Sequence, residues 1–156
     1  MPLNIVLVEP LIPQNTGTVA RLTAATQMRL HLIEPLGFEL SDRYLKRAGL
    51  DYWPEVNLTV HPTWEKFLEN ESPPEDALWF LTTKGSASYA SVVFSSDDYL
   101  VFGNEDFGLR PSFHERYRER MLRIPMENPK VRSLNLSNCV SIVGFEARRQ
   151  LGLLRS

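Results

Sequence analysis

The residues best suited to chemistry sit in four loops. The densest is near the C-terminus: Glu127-Asn-Pro-Lys-Val-Arg-Ser-Leu-Asn-Leu-Ser-Asn138 leads into an apolar-periodic run, Val140, Val143, Phe145, Ala147 and Leu151. Pro125 and Pro129 break regular structure, so the backbone between them is loop. Ser133, Asn135, Ser137 and Asn138 crowd the start of the helix that follows, with Ser137 or Asn138 as its expected N-cap. Such a segment delivers hydroxyls, amides and unpaired helix N–H groups to one place. It can hold a polar or anionic ligand, or it can be an ordinary capped turn. A second loop, Gly103-Asn-Glu-Asp-Phe-Gly108, has glycines that let a ligand approach the backbone closely, with Glu105 between them. That carboxylate can serve a ligand or simply pair with loop N–H groups. The others are Gln14-Asn-Thr-Gly17, with Arg21 four residues later, and Thr82-Thr-Lys-Gly85. The chain has no G-x-G-x-x-G, no G-x-x-x-x-G-K-[ST] and no G-x-S-x-G, so no dinucleotide fingerprint, P-loop or hydrolase elbow is expected.

The elements that must position these loops read as alternating strands and helices. Asn4–Val8, Leu30–Ile33, a short alternating run Val56/Leu58/Val60, Ala77–Leu81, Tyr99–Phe102 and Met121–Ile124 are the expected strands. The first is apolar throughout, as for a strand covered on both faces. Helices are expected from Thr16 to about Gln27, from Ser41 to Ala48, after Thr63 with Trp64, Phe67 and Leu68 on one face, from Pro111 to Arg120, and at the C-terminus. The pattern predicts one α/β domain over residues 1–156, with a mostly parallel sheet and helices on both faces. In such sheets ligands bind beyond the carboxyl ends of the strands, where the four polar loops fall.

Composition narrows the function. The 156 residues are 43% hydrophobic, enough for a real core, and no apolar run is long enough to span a membrane. The N-terminus has no basic segment and runs straight into a strand, which argues against a signal peptide. Cys139 is the sole cysteine, so no internal disulfide forms and a reducing cytoplasm is expected; it reads as a small buried hydrophobe. His31, His61 and His114 stand apart with no metal-ligand spacing, and no metal is expected. A net charge of −2 excludes coating nucleic acid by bulk charge. The basic groups Arg43/Lys46/Arg47, Lys130/Arg132 and Arg148/Arg149 read first as solvated faces. Val19, Leu22, Val140, Val143 and Ala147 offer apolar surface for a second copy against the first and last helices.

Taken together, the loops resemble a family. Asn15-Thr-Gly17-x-x-x-Arg21, Leu100-Val-Phe-Gly-Asn-Glu105-x-x-Gly108-Leu, and Arg123-Ile-Pro-Met with Arg132-Ser-Leu-Asn-Leu-Ser-Asn138 resemble, in order, the three motifs of the SPOUT class of RNA 2′-O-methyltransferases. Ile33-Glu-Pro-x-Gly-Phe38, Arg47-Ala-Gly-Leu-Asp-Tyr52, Leu81-Thr-Thr-Lys-Gly85 and Glu146-Ala-x-Arg-Gln-Leu-Gly152 look like its small single-domain branch, which methylates the wobble ribose of tRNA.

The resemblance implies an α/β knot with a threaded C-terminal segment, a homodimer, and tRNA as partner without an added RNA-binding domain. It implies S-adenosylmethionine as methyl donor, bound among Leu81, Thr82, Gly103, Glu105, Ile124, Met126, Ser133, Leu134 and Ser137. Catalytic positions would be Asn15, Arg21, Glu105, Ser133 and Asn135, with Arg21 acting on the nucleophile either by orienting it or as a base. Asn104 and Phe107 stand where close relatives carry Pro and Arg, and Phe145 where they often carry Tyr. A non-catalytic RNA-binding module is the alternative reading.

Overall fold

The computed structural model describes residues 2–155 apart from Asp42, Tyr44, Lys46, Ala48 and Gly49, and the side chains of Leu50 and Asp51 are likewise not described. Four of the eight positions of the expected Ser41–Ala48 helix, Lys46 of its basic group among them, therefore lie outside the described residues.

Seven strands form one parallel sheet in the order β3-β2-β1-β6-β4-β7-β5. They are β1 (Asn4–Val8), β2 (Arg29–Ile33), β3 (Asn57–His61), β4 (Leu78–Leu81), β5 (Ala87–Ser88), β6 (Tyr99–Phe102) and β7 (Met121–Arg123). The helices whose bounds are fully described are α1 (Pro13–Thr26), α2 (Trp64–Glu71), α3 (Pro111–Arg116) and α4 (Leu136–Gln150), with short 3₁₀ turns at Leu50–Glu55, Glu75–Ala77, Tyr89–Ser91 and Arg118–Arg120. The α/β reading holds. The expected Pro111–Arg120 helix ends at Arg116 and tightens to 3₁₀, and the two-residue strand β5 had no sequence signal.

β1 shows why the sheet is covered on both sides. All five of its residues are buried. Ile5 and Leu7 join Val19 and Ala20 of α1 and Val140, Val143 and Ala147 of α4. Val6 and Val8 join Trp64 and Phe67 of α2 and Phe113 of α3 on the other face. Each valine, leucine or isoleucine among them contributes roughly 1.5–3 kcal/mol on full burial, an alanine less. Val19, Val140, Val143 and Ala147 are thus core, and only part of the apolar surface assigned by sequence to a second copy remains available.

The side on which strands are added reverses about β1. The chain first builds outward through β2 and β3, then returns so that β6 lies beside β1 on its other side. That switch between β1 and β6 is where an open α/β sheet leaves a crevice.

Two histidines that looked unrelated in sequence meet because β2 and β3 are neighbours. His31 Nδ1 lies 3.1 Å from His61 Nε2, and His31 Nε2 lies 3.1 Å from Asn4 Oδ1. The Asn4 amide nitrogen donates to the carbonyls of Asp97 and Asp98, so its oxygen must accept from His31. His31 Nδ1 then accepts from His61 Nε2–H, and His61 Nδ1 accepts from the Asn70 amide 3.2 Å away. This ordering needs both rings neutral. Burial agrees: it pushes His31 down to about 4 and lowers His61. Together with Glu71 the rings offer donor atoms within 4.8 Å of one another, correcting the expectation that the histidines stand apart. Their facing nitrogens are satisfied by each other.

Candidate functional site

A cavity of about 1180 Å³ opens beyond the carboxyl ends of β1, β4, β6 and β7. It is bounded by Leu81–Lys84 after β4, residues 102–111 after β6, Ile124 and Met126 after β7, and residues 132–136 leading into α4, with Ile12 and Asn15 at the start of α1. The four loops singled out by residue type all reach it.

Glycine permits the tight folding of these loops at two points. A Cβ on Gly103 would lie 2.2 Å from the Gly108 carbonyl carbon, and one on Gly85 would lie 2.3 Å from that of Leu122. The Asn104 N–H donates to the Gly108 carbonyl at 3.1 Å and closes the loop.

Helix α1 begins earlier than its sequence suggests. Pro13 occupies its first turn and Ile12 is the N-cap, with no side-chain cap of its own. Thr16, expected as the cap, is buried inside the helix. The acceptor comes instead from Glu105. Its Oε1 accepts from the Leu11 N–H at 2.9 Å, and its Oε2 accepts from the Ile12 N–H at 3.0 Å and the Asn15 amide at 3.1 Å.

From Asn15 the hydrogen bonds continue. Its Oδ1 accepts from the Asn135 amide at 3.1 Å. Asn135 Oδ1 in turn accepts from the N–H groups of Ser137 and Asn138, so Asn135 caps α4 in place of the expected Ser137 or Asn138. Because a carboxylate can only accept, Glu105 fixes the direction of the whole relay and the orientation of both amides. One continuous chain of bonds therefore joins the start of α1 to two segments 90 and 120 residues further along the sequence.

The expected site residues divide cleanly. Asn15, Leu81, Thr82, Gly103, Glu105, Ile124, Met126, Ser133, Leu134 and Asn135 border the cavity, whereas Ser137 and Arg21 do not. The Ser137 hydroxyl donates to Asn135 and is part of the cap. Arg21 is exposed on α1, its guanidinium 4.9 Å from the centre of the Tyr52 ring.

Other bordering residues were not singled out as ligand groups. Cys139 borders the cavity half-buried, and burial raises its thiol pKa. His114 is lowered by burial and then by nearby Lys84. Lys84 and Arg132 form no ion pair among the described residues and border the cavity together with the carboxylates of Asp106 and Glu115. Arg110 holds Glu9 through two hydrogen bonds of 2.7 and 2.6 Å, a pairing across 101 residues with no sequence signal.

A ligand here meets aliphatic walls and close backbone at Gly103. The Asn104 side-chain nitrogen is buried with no hydrogen-bond partner among the described residues, while its oxygen accepts from the N–H groups of Asp106 and Phe107. This mixture suits an amphipathic cofactor with hydrogen-bonding groups.

The SpoU rRNA Methylase family matches residues 2–145. The chain belongs to this family. It is 50% identical over 151 residues to the tRNA (cytidine(34)-2′-O)-methyltransferase of Escherichia coli K12, covering 96% of this chain and 94% of that one. It is 48% identical over 154 residues to the enzyme of the same name from Polaromonas, covering 98% and 93%. A solved structure concerned with 2-OH methylation of C/U34 on tRNA superposes with a TM-score of 0.88 at 47% identity, covering 96% of each chain.

Proposed function

We propose that this chain is an S-adenosylmethionine-dependent methyltransferase acting on the ribose 2′-hydroxyl of nucleotide 34, cytidine or uridine, in the tRNA anticodon loop. The relay Glu105–Asn15–Asn135 carries the reading. It binds the family's three motif segments into one rigid wall of one cavity. Near-full-length identity to enzymes of this name supplies the substrate.

The bound cofactor supplies an electrophilic methyl group on a sulfonium. Leu81, Gly103, Ile124, Met126 and Leu134 form its pocket, with Thr82 and Ser133 beside it. Glu105 and Asn15 hold the start of α1 and Asn135 the start of α4, so the ribose meets a preorganised surface. Holding two reactants in place can supply on the order of 7 kcal/mol or more of the barrier. Lys84 and Arg132 draw the RNA backbone to the cavity mouth. Arg21 orients the ribose or its phosphate, a guanidinium being a donor fork and a poor general base.

In this proposal the one domain, residues 1–156, handles both cofactor and RNA, and two copies assemble in the cytoplasm. Exposed Ile12, Phe145, Leu153 and Leu154 on or beside the first and last helices support the assembly. The chain is also proposed to be knotted, with the segment after β7 passing within the arch of residues 82–88. Supporting this, β5 pairs outside β7, and Arg123 donates to the carbonyls of Gly85 and Ser86.

The test is transfer of a labelled methyl group to tRNA followed by mapping of the modified ribose. Label at the 2′-oxygen of residue 34 is expected. A folded protein that binds the cofactor yet transfers nothing would favour the RNA-binding module instead.

A further inference from the structure

We propose that Phe107 is the surface on which the base of the target nucleotide stacks, an inference that rests on the function proposed above. Phe107 borders the cavity with 49% of its surface exposed. An exposed phenylalanine alone means little. This one is held rigid in three ways.

Its own N–H donates to Asn104 Oδ1 at 2.9 Å, fixing the backbone at that point. The loop is closed by the Asn104–Gly108 pairing, which only glycine at position 103 allows. The ring itself is backed by Arg110, whose guanidinium lies 5.0 Å from the ring centre. Arg110 is in turn held at Nε and Nη2 by Glu9, a residue only 8% exposed with φ of 52°. One face of the ring is thus occupied by a fixed cation, and the ring carries substantial open surface beyond it. A rigid aromatic surface loses little freedom on binding.

Position gives the surface its use. Glu105, two residues before Phe107, anchors the relay that lines the reaction cavity. Base and ribose are joined by a single bond, so a ribose entering the cavity carries its base to the rim where Phe107 stands. Stacking reads no hydrogen-bonding edge, since every base has a π-face. A stacked pyrimidine is therefore accepted whether it is cytidine or uridine.

The experiment compares Phe107→Ala, Phe107→Leu and Phe107→Trp with the wild-type protein on an anticodon stem-loop RNA at saturating cofactor. Phe107→Ala is expected to raise KM for RNA by roughly ten- to a hundredfold, the range for loss of one stacked base. Calorimetric affinity for S-adenosylhomocysteine should stay the same and kcat should change far less than KM. Phe107→Trp should restore KM and Phe107→Leu should not. Photolysis of RNA carrying 5-iodouridine at position 34 should attach it to the peptide containing Phe107. An active wild-type protein with an unchanged KM in Phe107→Ala overturns the assignment alone. So does a Phe107→Ala protein that dissociates into monomers, which would give the ring to a contact between copies. A wild-type protein inert on every tRNA overturns the function and this inference together.

Discussion

Replacing Glu105 by Gln tests whether this carboxylate works by position or by proton transfer. Its two oxygens accept three hydrogen bonds, two from the backbone at the start of α1 and one from Asn15. A glutamine has one acceptor oxygen and turns an N–H₂ toward a donor. The less damaging orientation keeps the oxygen toward Ile12 and Asn15 and leaves the Leu11 N–H facing another donor. One charge-assisted bond, in the range of about 1.5–3 kcal/mol, is lost, and two others fall to neutral strength. The favourable interaction of a negative charge with the N-terminus of α1 goes as well. Since Glu105 is half-buried, solvent offsets part of this, and a net loss of about 2–3 kcal/mol is expected.

For a chain of 156 residues that lowers Tm by roughly 4–10 °C. Asn15 also loses the partner that fixes its orientation, so cofactor affinity and kcat should both fall with stability. Scanning calorimetry of the two proteins, with and without S-adenosylhomocysteine, reads both effects. A Glu105→Gln protein with unchanged Tm and unchanged cofactor affinity, but no methyl transfer, would refute the positioning role and make Glu105 the base.

Other outcomes follow from the same geometry. Asn135→Asp keeps an excellent N-cap for α4 but removes the amide that donates to Asn15, so stability should hold within about 1 kcal/mol while kcat falls; urea titration paired with single-turnover kinetics checks this. Arg21→Ala removes an exposed side chain outside the cavity, so fold and cofactor affinity should survive while transfer falls on the order of a hundredfold; near-normal turnover on tRNA would end its assignment. Light scattering at micromolar concentration should give about twice 17.9 kDa, and the monomer mass would refute the dimer. His31 titrates near 4 in the fold and near 6.5 when unfolded, so the unfolded chain binds the extra proton between those values. Stability should be full above about pH 6.5, decline by on the order of 3 kcal/mol toward pH 4, and flatten below. His31→Gln should remove that component from the pH dependence of the urea midpoint.

Much of the layout was readable because it is local. Apolar runs of four or five residues placed β1, β2, β4 and β6, and Thr63 capped α2 as its sequence promised, its hydroxyl accepting from the Lys66 N–H at 3.0 Å. The two caps that were misplaced show where local signals stop. Thr16 has the right side chain to cap a helix, but Pro13 starts α1 a turn earlier and a loop more than ninety residues away supplies the acceptor. Ser137 is likewise a good cap by type, yet Asn135 lies where its amide can serve Asn15 and its oxygen can serve α4 together.

Three residues that border the cavity stood out in the sequence for a related reason. Asn15, Glu105 and Asn135 are polar groups at points where a core-bound chain turns, and each stood out in its own loop. Their bonding did not, because no spacing within a loop encodes a partner in another. The same holds for Glu9 with Arg110 and for His31 with His61, which owe their meeting to strand order in the sheet. Strand order is set by which hydrophobic faces find helices to cover them, a property of the whole chain. A histidine whose partner sits thirty residues away on the neighbouring strand therefore reads as solitary until the sheet is assembled.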